Sequence, residues 1–526
     1  MFEIRREKFW QDTYGNAEYL NNWPMVYILE NGKKAYVGQS NNVQRRMAQH
    51  KMATGKQEFT DVHFIYSDKF NQSATFDYES RLISLMAADE KFCITNANAG
   101  VVGANYYKKN EYDNDFRELW RRLQEQQLVK HSIEELEHSD LFKYSPFKKL
   151  SDDQRNVVRM IMQSLRISKE QRIIINGMPG SGKTVIAVYL FKLFRDTPEY
   201  ADKKIALVIP QTSLRKTIKD LFKNLHGLAV GDVIGPNEVA QQTYDILLVD
   251  EAHRLKQRKN LSSYMFYDEC CRKMGLPKDA TQLDWVMEQS KCTILFYDQN
   301  QVVGPSGIEM EQLNASILQS RYSRMYTYYQ LLSQMRCKGG TEYINYVKDL
   351  LHNNVKNRVR FEAYEFRLVD AFGKFEELYR RKLMSDCLTR MVSGYAWEWK
   401  SKNDSLATDI VIDNVGKRWN STLANWVHSP KATEEVGCIH SIQGYDLDYG
   451  FVILGNDIKY DKDRNEVIVD RVSYFDRYGK IGASDSQLKE FILNVYYVLM
   501  TRGIKGTYVY VCDDNLREYM RKYMDS

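Results

Sequence analysis

Proline is scarce in this chain, at 9 of 526 residues, and no low-complexity tract interrupts it. A disordered or proline-rich scaffold is thereby excluded. Cysteine is sparse and scattered: of 8, only Cys270 and Cys271 are adjacent, and no CxxC or Cys/His spacing occurs. That excludes a zinc-finger framework and leaves reduced thiols as the expectation. No uninterrupted apolar run approaches the ~20 residues of a membrane helix, and the opening MFEIRREKFW has no signal-like apolar core. The expectation is a cytoplasmic protein that makes no use of a membrane. Charge of one sign is also not in large excess, since the formal net charge is +5. Any basic surface for nucleic acid must therefore be local.

What is present is the composition of a globular protein, 43% hydrophobic, 27% charged and 13% aromatic. At roughly 100 to 200 residues per domain the length requires several cores. From Pro24 to about Gly103 the text reads strand (MVYILE), turn, strand (KAYVGQ), basic helix (NNVQRRMAQHKMA), strand (DVHFIYS) and helix (QSATFDYESRLISLMAADE). The Asn31-Gly32 pair between the first two strands is a strong hairpin signal and predicts antiparallel pairing. The charged stretch after residue 104 reads as a helical connector with little apolar face of its own. From Ser151 onward, apolar strands such as RIIIN, KIALVIP, DILLVD and CTILFYD alternate with helices, and a second set (EVGCIHSIQG, YGFVILG, GTYVYVC) follows. Such runs predict parallel sheets covered on both faces. The expected divisions are 1–103, 104–149, 150–340 and 341–526.

GMPGSGKT, Gly177 to Thr184, follows a strand and opens a helix. Its spacing fits G-x-x-x-x-G-K-[ST]. Glycines at 177, 180 and 182 let backbone N–H groups approach phosphate, Lys183 neutralises the β and γ phosphates, and Thr184 ligates Mg²⁺. DILLVDEAH ends a strand in two acids, placing Asp250 to hold Mg²⁺ and Glu251 to orient and deprotonate water. ATP and Mg²⁺ are the expected cofactors.

The blocks SDDQ, PQTSLRKT, LFYDQNQ, LSQMRC, HSIQGYDLDYGFVILG and VYYVLMTRG, in this order from Ser151 to the end, resemble superfamily 1 helicases. Within that superfamily they look most like the Schlafen-like bacterial branch. The resemblance implies two RecA-like lobes, with Gln154 reading adenine and Asp298 and Gln301 sensing the γ-phosphate. It also implies that Arg336 and Arg502 are arginine fingers, and that Gln443, Gly444 and Asp446 couple nucleotide to nucleic acid. A planar guanidinium suits charge on a transferring phosphoryl group. DEAH is spelled as in superfamily 2, and the chain lacks room for large accessory inserts, so ATP hydrolysis and translocation are expected ahead of strand separation. The aromatic stretch from about 345 to 430 is assigned no site residues, because aromatics are more often core.

The N-terminal stretch resembles the GIY-YIG nuclease domain of homing, repair and some restriction enzymes. Tyr27 stands at the tyrosine of GIY, Tyr36-Val37-Gly38 at YIG, and Met25 replaces the first glycine. The resemblance extends to Arg46, His50, Glu79 and Asn96. Phosphodiester hydrolysis needs a divalent cation, a group that holds or deprotonates water, and a cation facing the nonbridging oxygens. Glu79 would hold Mg²⁺ and Arg46 would clamp the phosphate. Tyrosine is a poor base at its ordinary pKa of ~10, so Tyr27 would serve as phenolate only with help from the metal and Arg46, or would orient a metal-bound water. His50 would supplement proton transfer, and Asn96 would fix the geometry.

The expected fold is thus multidomain α/β, a small α+β GIY-YIG-like module followed by two P-loop lobes with parallel sheets. The expected function is an ATP-dependent, helicase-like nucleic-acid motor carrying a metal-dependent endonuclease, acting on DNA in repair, restriction or anti-phage defence. A binding switch with an inactive nuclease module and an RNA-directed enzyme are the alternatives.

Overall fold

The computed structural model describes residues 2–14, 21–101, 106–137, 139–261, 263–320, 326–386, 388–404, 406–423 and 425–525. The expected boundary between residues 103 and 104 lies outside the described residues. The chain folds as two compact units. One comprises Met1–Val158, Thr184–Leu207 and Arg215–Ile234, and the other Arg159–Lys183, Val208–Leu214 and Gly235–Ser526.

The first unit is built on a five-stranded sheet, β1 (Glu3–Lys8), β2 (Asn21–Glu30), β3 (Lys34–Asn42), β4 (Asp61–Tyr66) and β5 (Cys93–Ile94), in the order β1-β4-β2-β3-β5. The Asn31-Gly32 turn forms as its chemistry requires, with Gly32 at φ +80° and the Asn31 side chain accepting from Lys34 N–H at 2.8 Å. The antiparallel register sets Tyr27 opposite Gly38 and Leu29 opposite Tyr36. Alternation along each strand then puts Tyr27 and Tyr36 on one face, although nine positions separate them. Strand β1 is too charged to be read as a strand from its sequence. It pairs with β4, and Arg6 and Lys8 both reach Asp61, at 3.1 and 2.9 Å. Helices α1 (Val43–Met52) and α2 (Gln72–Ala88) carry Arg46, His50 and Glu79, and each starts on an Asn cap, Asn42 and Asn71.

The connector departs from its expectation. Its main helix, Lys109–Glu125, does bury an apolar stripe of Phe116, Leu119, Trp120 and Leu123. The stripe was hidden by the charges around it, although its i, i+3, i+4, i+7 spacing is that of a packed helix. Arg81 of α2 lies 3.8 Å from the centre of the Phe116 ring.

The second unit contains parallel strands in two sheets. In one, Tyr326–Leu331, Gln171–Gly177, Ser290–Tyr297 and Tyr244–Val249 are successive neighbours. The other runs Glu365–Leu368, Gly503–Val511, Leu447–Leu454, Arg390–Ser393, Val436–Gly437. Trp419 and Trp426 of the aromatic stretch are fully buried, so this part of it is core. The fold is multidomain α/β with a small α+β module ahead of parallel-sheet lobes. Among the described residues no helix is long and apolar enough to cross a membrane.

Candidate active sites

The first site lies on the β2–β3 face of the small module. Tyr27 is fully buried, its Oη 2.7 Å from His50 Nε2 and 3.3 Å from Arg46 Nε, which donates to it. The Tyr27 O–H donates to His50 when Nε2 is the imidazole's unprotonated nitrogen. Burial and the neighbouring Arg46 and Lys56 push the His50 imidazole down to about 3. It is therefore neutral near pH 7 and free to accept. Burial, followed by Tyr36, raises the Tyr27 phenol above its ordinary value. The phenolate is disfavoured, so the geometry suits a Tyr27 that orients rather than deprotonates. Tyr36 packs beside it, ring centres 6.4 Å apart, and His50 stands edge-on to both.

Close packing dictates the glycine at 38. A Cβ there would fall on the Tyr27 ring and hydroxyl. Asn96 bonds the backbone of Val37 on both sides, accepting from its N–H at 3.0 Å and donating to its C=O at 2.7 Å. It thus pins the Tyr-Val-Gly segment of β3, a positional role. Glu79 on α2 is half-buried, and burial pushes its carboxyl up to about 7, opposed by Arg46 and a bond from the Gln39 backbone. A desolvated lone carboxylate of this kind gains most from a divalent cation. It is the one predicted metal ligand of this module, and among the described residues no group of three or more His, Cys, Asp or Glu side chains converges.

The second site surrounds the phosphate loop. Lys183 is buried, its Nζ donating to the carbonyls of Gly177 at 2.5 Å and Met178 at 3.3 Å and pairing with Asp298 at 3.2 Å. Gly180 is at φ +82°, and a Cβ there would meet the Arg336 Cβ at 2.8 Å. The loop is therefore closed against the LSQMRC block, whose Met335 N–H bonds Gly180 O at 2.9 Å. Gly182 also has positive φ. Thr184 follows Lys183 in the helix Lys183–Asp196. Asp298 accepts from Gln301 Nε2 at 2.7 Å, and Gln301 Oε1 accepts from Arg502 at 3.2 Å. Arg336 pairs with Asp446. Asp250 is fully buried at the end of its strand. Glu251 adopts left-handed backbone, φ 49°, a strained state for a non-glycine residue. Burial opposes its charge, but His253 at 2.9 Å, with Lys183 and Arg254, holds its carboxyl well below the usual range. Gln154 is buried in the first unit and folds back to accept from Ser151 N–H at 3.0 Å, starting its helix.

Two residues escaped sequence reasoning. Lys56 places its ammonium 3.0 Å from the centre of the Tyr36 ring, from a loop with no motif to flag it. Arg254, next in line after DEAH, donates to Gln211 Oε1 at 2.8 Å and Gln443 Oε1 at 2.6 Å. The Gly444 backbone, at φ +95°, lies so close that a Cβ would meet Gln211 at 3.0 Å. Only the position of Arg254 between two blocks could have drawn attention to it.

Fold and geometry together define a class, a helicase-like P-loop protein joined to a nuclease-type module. Residues 170–513 match the family model for Schlafen group 3, DNA/RNA helicase domain, and residues 24–92 match the GIY-YIG catalytic domain. The chain belongs to the Schlafen group 3 helicase-domain family, with a GIY-YIG domain ahead of it. It is 26% identical over 391 residues to an uncharacterized protein of Saccharomyces cerevisiae, covering 66% of this chain and 82% of that one. Among solved structures it is similar to the Pif1 helicase from Candida albicans, with 14% identity and a TM-score of 0.24. That match covers 45% of this chain and spans 55% of that one, little more than half its length. A DEAD box protein from Methanococcus jannaschii matches at 13% identity and TM-score 0.26, covering 74% of this chain and 95% of that one. Likeness at this level says nothing about activity.

Proposed function

We propose that the protein is an ATP-driven nucleic-acid motor whose N-terminal module cuts a phosphodiester backbone, with DNA the favoured polymer and repair, restriction or anti-phage defence in the cytoplasm as its setting. What carries this reading is that one chain brings together Tyr27, Arg46 and His50 beside Glu79 in one place and Lys183, Asp298, Gln301 and Arg502 in another. The modules follow the divisions 1–103, 104–149, 150–340 and 341–526.

In the nuclease step, Glu79 would hold Mg²⁺, which would supply charge neutralisation and acidify the attacking water. Arg46 faces the nonbridging oxygens. Tyr27, held as a neutral phenol between Arg46 and His50, orients the water, and the water's proton leaves to solvent, because a His50 imidazole pushed down to about 3 is too weak a base to keep it. Tyr36 walls the site, and Asn96 holds the strand segment that carries it.

In the motor, the N–H groups of the loop from Gly177 through Gly180 to Gly182 cradle phosphate and Lys183 binds it. Thr184 and Asp250 are the Mg²⁺ ligands, and Glu251 positions the attacking water. Gln154 reads the base, Asp298 and Gln301 sense the γ-phosphate, and Arg336 and Arg502 stabilise the charge that develops on it. Gln443, Gly444 and Asp446 relay nucleotide state to the bound strand. Strong internal pairs now hold two of these cations, Lys183 to Asp298 and Arg336 to Asp446. A nucleotide must exchange them for phosphate.

The test is ATP hydrolysis with matched single-stranded DNA and RNA at stated salt. Stimulation by DNA above RNA, lost in Lys183→Ala, supports the reading. No stimulation by either polymer removes the motor, and stimulation by RNA alone transfers the reading to an RNA-directed enzyme.

A further inference from the structure

Neither cation of the nuclease site forms an ion pair with a carboxylate among the described residues, although Glu79 lies within electrostatic reach of Arg46 and Glu58 of Lys56. Arg46 donates to Tyr27 Oη and Gln49 Oε1, each at 3.3 Å, and also interacts with Tyr36, while Lys56 faces the Tyr36 ring at 3.0 Å. Other cations of the same unit do form ion pairs, as Lys34 with Glu58 at 2.8 Å and Arg81 with Asp113 at 2.7 Å show. Glu58, the carboxylate closest to Lys56 in sequence, is therefore already engaged by Lys34.

The loop aims Lys56 at this place. Gly55 turns with φ +87°, Lys56 N–H donates to Ala53 O and Phe59 N–H to Lys56 O, both at 3.3 Å, and the ammonium is laid on an aromatic face instead of water. The groups around it are Tyr27 and Tyr36 on the strands, Arg46 and His50 on α1, Glu58 and Phe59 on its own loop, and Glu79 on α2. Burial and Arg46 push the Lys56 ammonium down to about 7. Arg46 and Lys56 repel, Glu79 and Glu58 act on them without forming an ion pair with either, and an anion lying between the two cations relieves the repulsion. Neutral His50 adds no competing charge.

We propose that Lys56 is a substrate-binding residue which, with Arg46, grips the nonbridging oxygens of a phosphodiester above the Tyr36 ring. The identity of the anion rests on the nuclease reading given above, while the two-cation site itself does not. Lysine suits this task as a point charge that needs no fixed donor fork.

Two measurements on the full chain decide it. In the first, the lysines are reductively methylated with ¹³C, Lys56→Arg identifies the Lys56 resonance, and inorganic phosphate is titrated. A saturable shift of that resonance, absent in Arg46→Met, is expected. A resonance that phosphate does not move overturns the proposal. In the second, cleavage is followed against substrate concentration. Lys56→Met should raise the half-saturating concentration about tenfold and flatten the salt dependence by about one unit of slope, with Lys56→Arg close to the natural protein. Unchanged half-saturation and slope in Lys56→Met also overturn it. If the natural protein cuts nothing, the nuclease reading fails and the phosphate titration alone decides the clamp.

Discussion

At the scale of single residues, contact geometry makes sharp demands. The backbone at Gly38 touches the Tyr27 ring, so Gly38→Ala must displace that tyrosine or its strand. We expect a loss of about 1–3 kcal/mol from overpacking, measured by denaturant unfolding of the first transition, together with loss of cleavage. Glu79 makes a pH prediction. Its carboxyl is raised to about 7 from the ordinary 4.5, so the folded state holds a proton that the unfolded chain releases. Stability from this group falls as pH rises from 4.5 through 7, by on the order of 1 kcal/mol once solvent screening is allowed for. Glu79→Gln should abolish that part of the decline in thermal stability. A divalent cation should restore stability at pH 8 but not at pH 5, and only in the natural protein. Lys183→Ala should end ATP hydrolysis and cost about 3 kcal/mol, because buried Asp298 loses its cation. The double variant with Asp298→Asn should recover stability without recovering hydrolysis.

At the scale of elements, much was legible. The Asn-Gly turn and the alternation of β2 and β3 place Tyr27 and Tyr36 on one face by register alone, and the phosphate loop sits between a strand and a helix as its spacing requires. Strand β1 was not legible, because its charges are satisfied by Asp61 across the sheet, a partner more than fifty positions away. The contributions of Lys56 and Arg254 were hidden for the same reason, since each is defined by what it faces and not by its neighbours in sequence. The segment from Glu251 to Asn260 is an element whose meaning only the structure supplies. Arg254 at its start bridges Gln211 and Gln443, and Asn260 at its end donates to Tyr478 O and Ile481 O, both at 2.9 Å. Loss of a charged hydrogen-bond pair costs about 1.5–3 kcal/mol. Arg254→Ala should therefore lower nucleic-acid-stimulated ATP hydrolysis at least tenfold, Gln443→Ala should do the same, and the pair together should lose no more than either alone.

At the scale of the whole molecule, a GIY-YIG domain and a helicase-like domain share one chain, and the account requires that the first cuts and the second moves on a strand. Neither site borrows a residue from the other, so each can be disabled separately. Covalent fusion raises the effective concentration of the cutter near any strand the motor holds. ATP should accordingly increase cutting of long nucleic acid more than of short oligonucleotides, and Lys183→Ala should remove that difference while leaving the short-substrate rate in place.

The most direct measurement is cleavage of plasmid and oligonucleotide with Mg²⁺, with and without ATP, comparing the natural protein with Glu79→Ala. The account predicts cutting by the natural protein, at least a hundredfold loss in Glu79→Ala on the scale of an essential metal ligand, and undiminished ATP hydrolysis in that variant. ATP hydrolysis by both proteins with cleavage by neither, on DNA and on RNA, would contradict it and leave the tyrosine pair as the scaffold of a binding module.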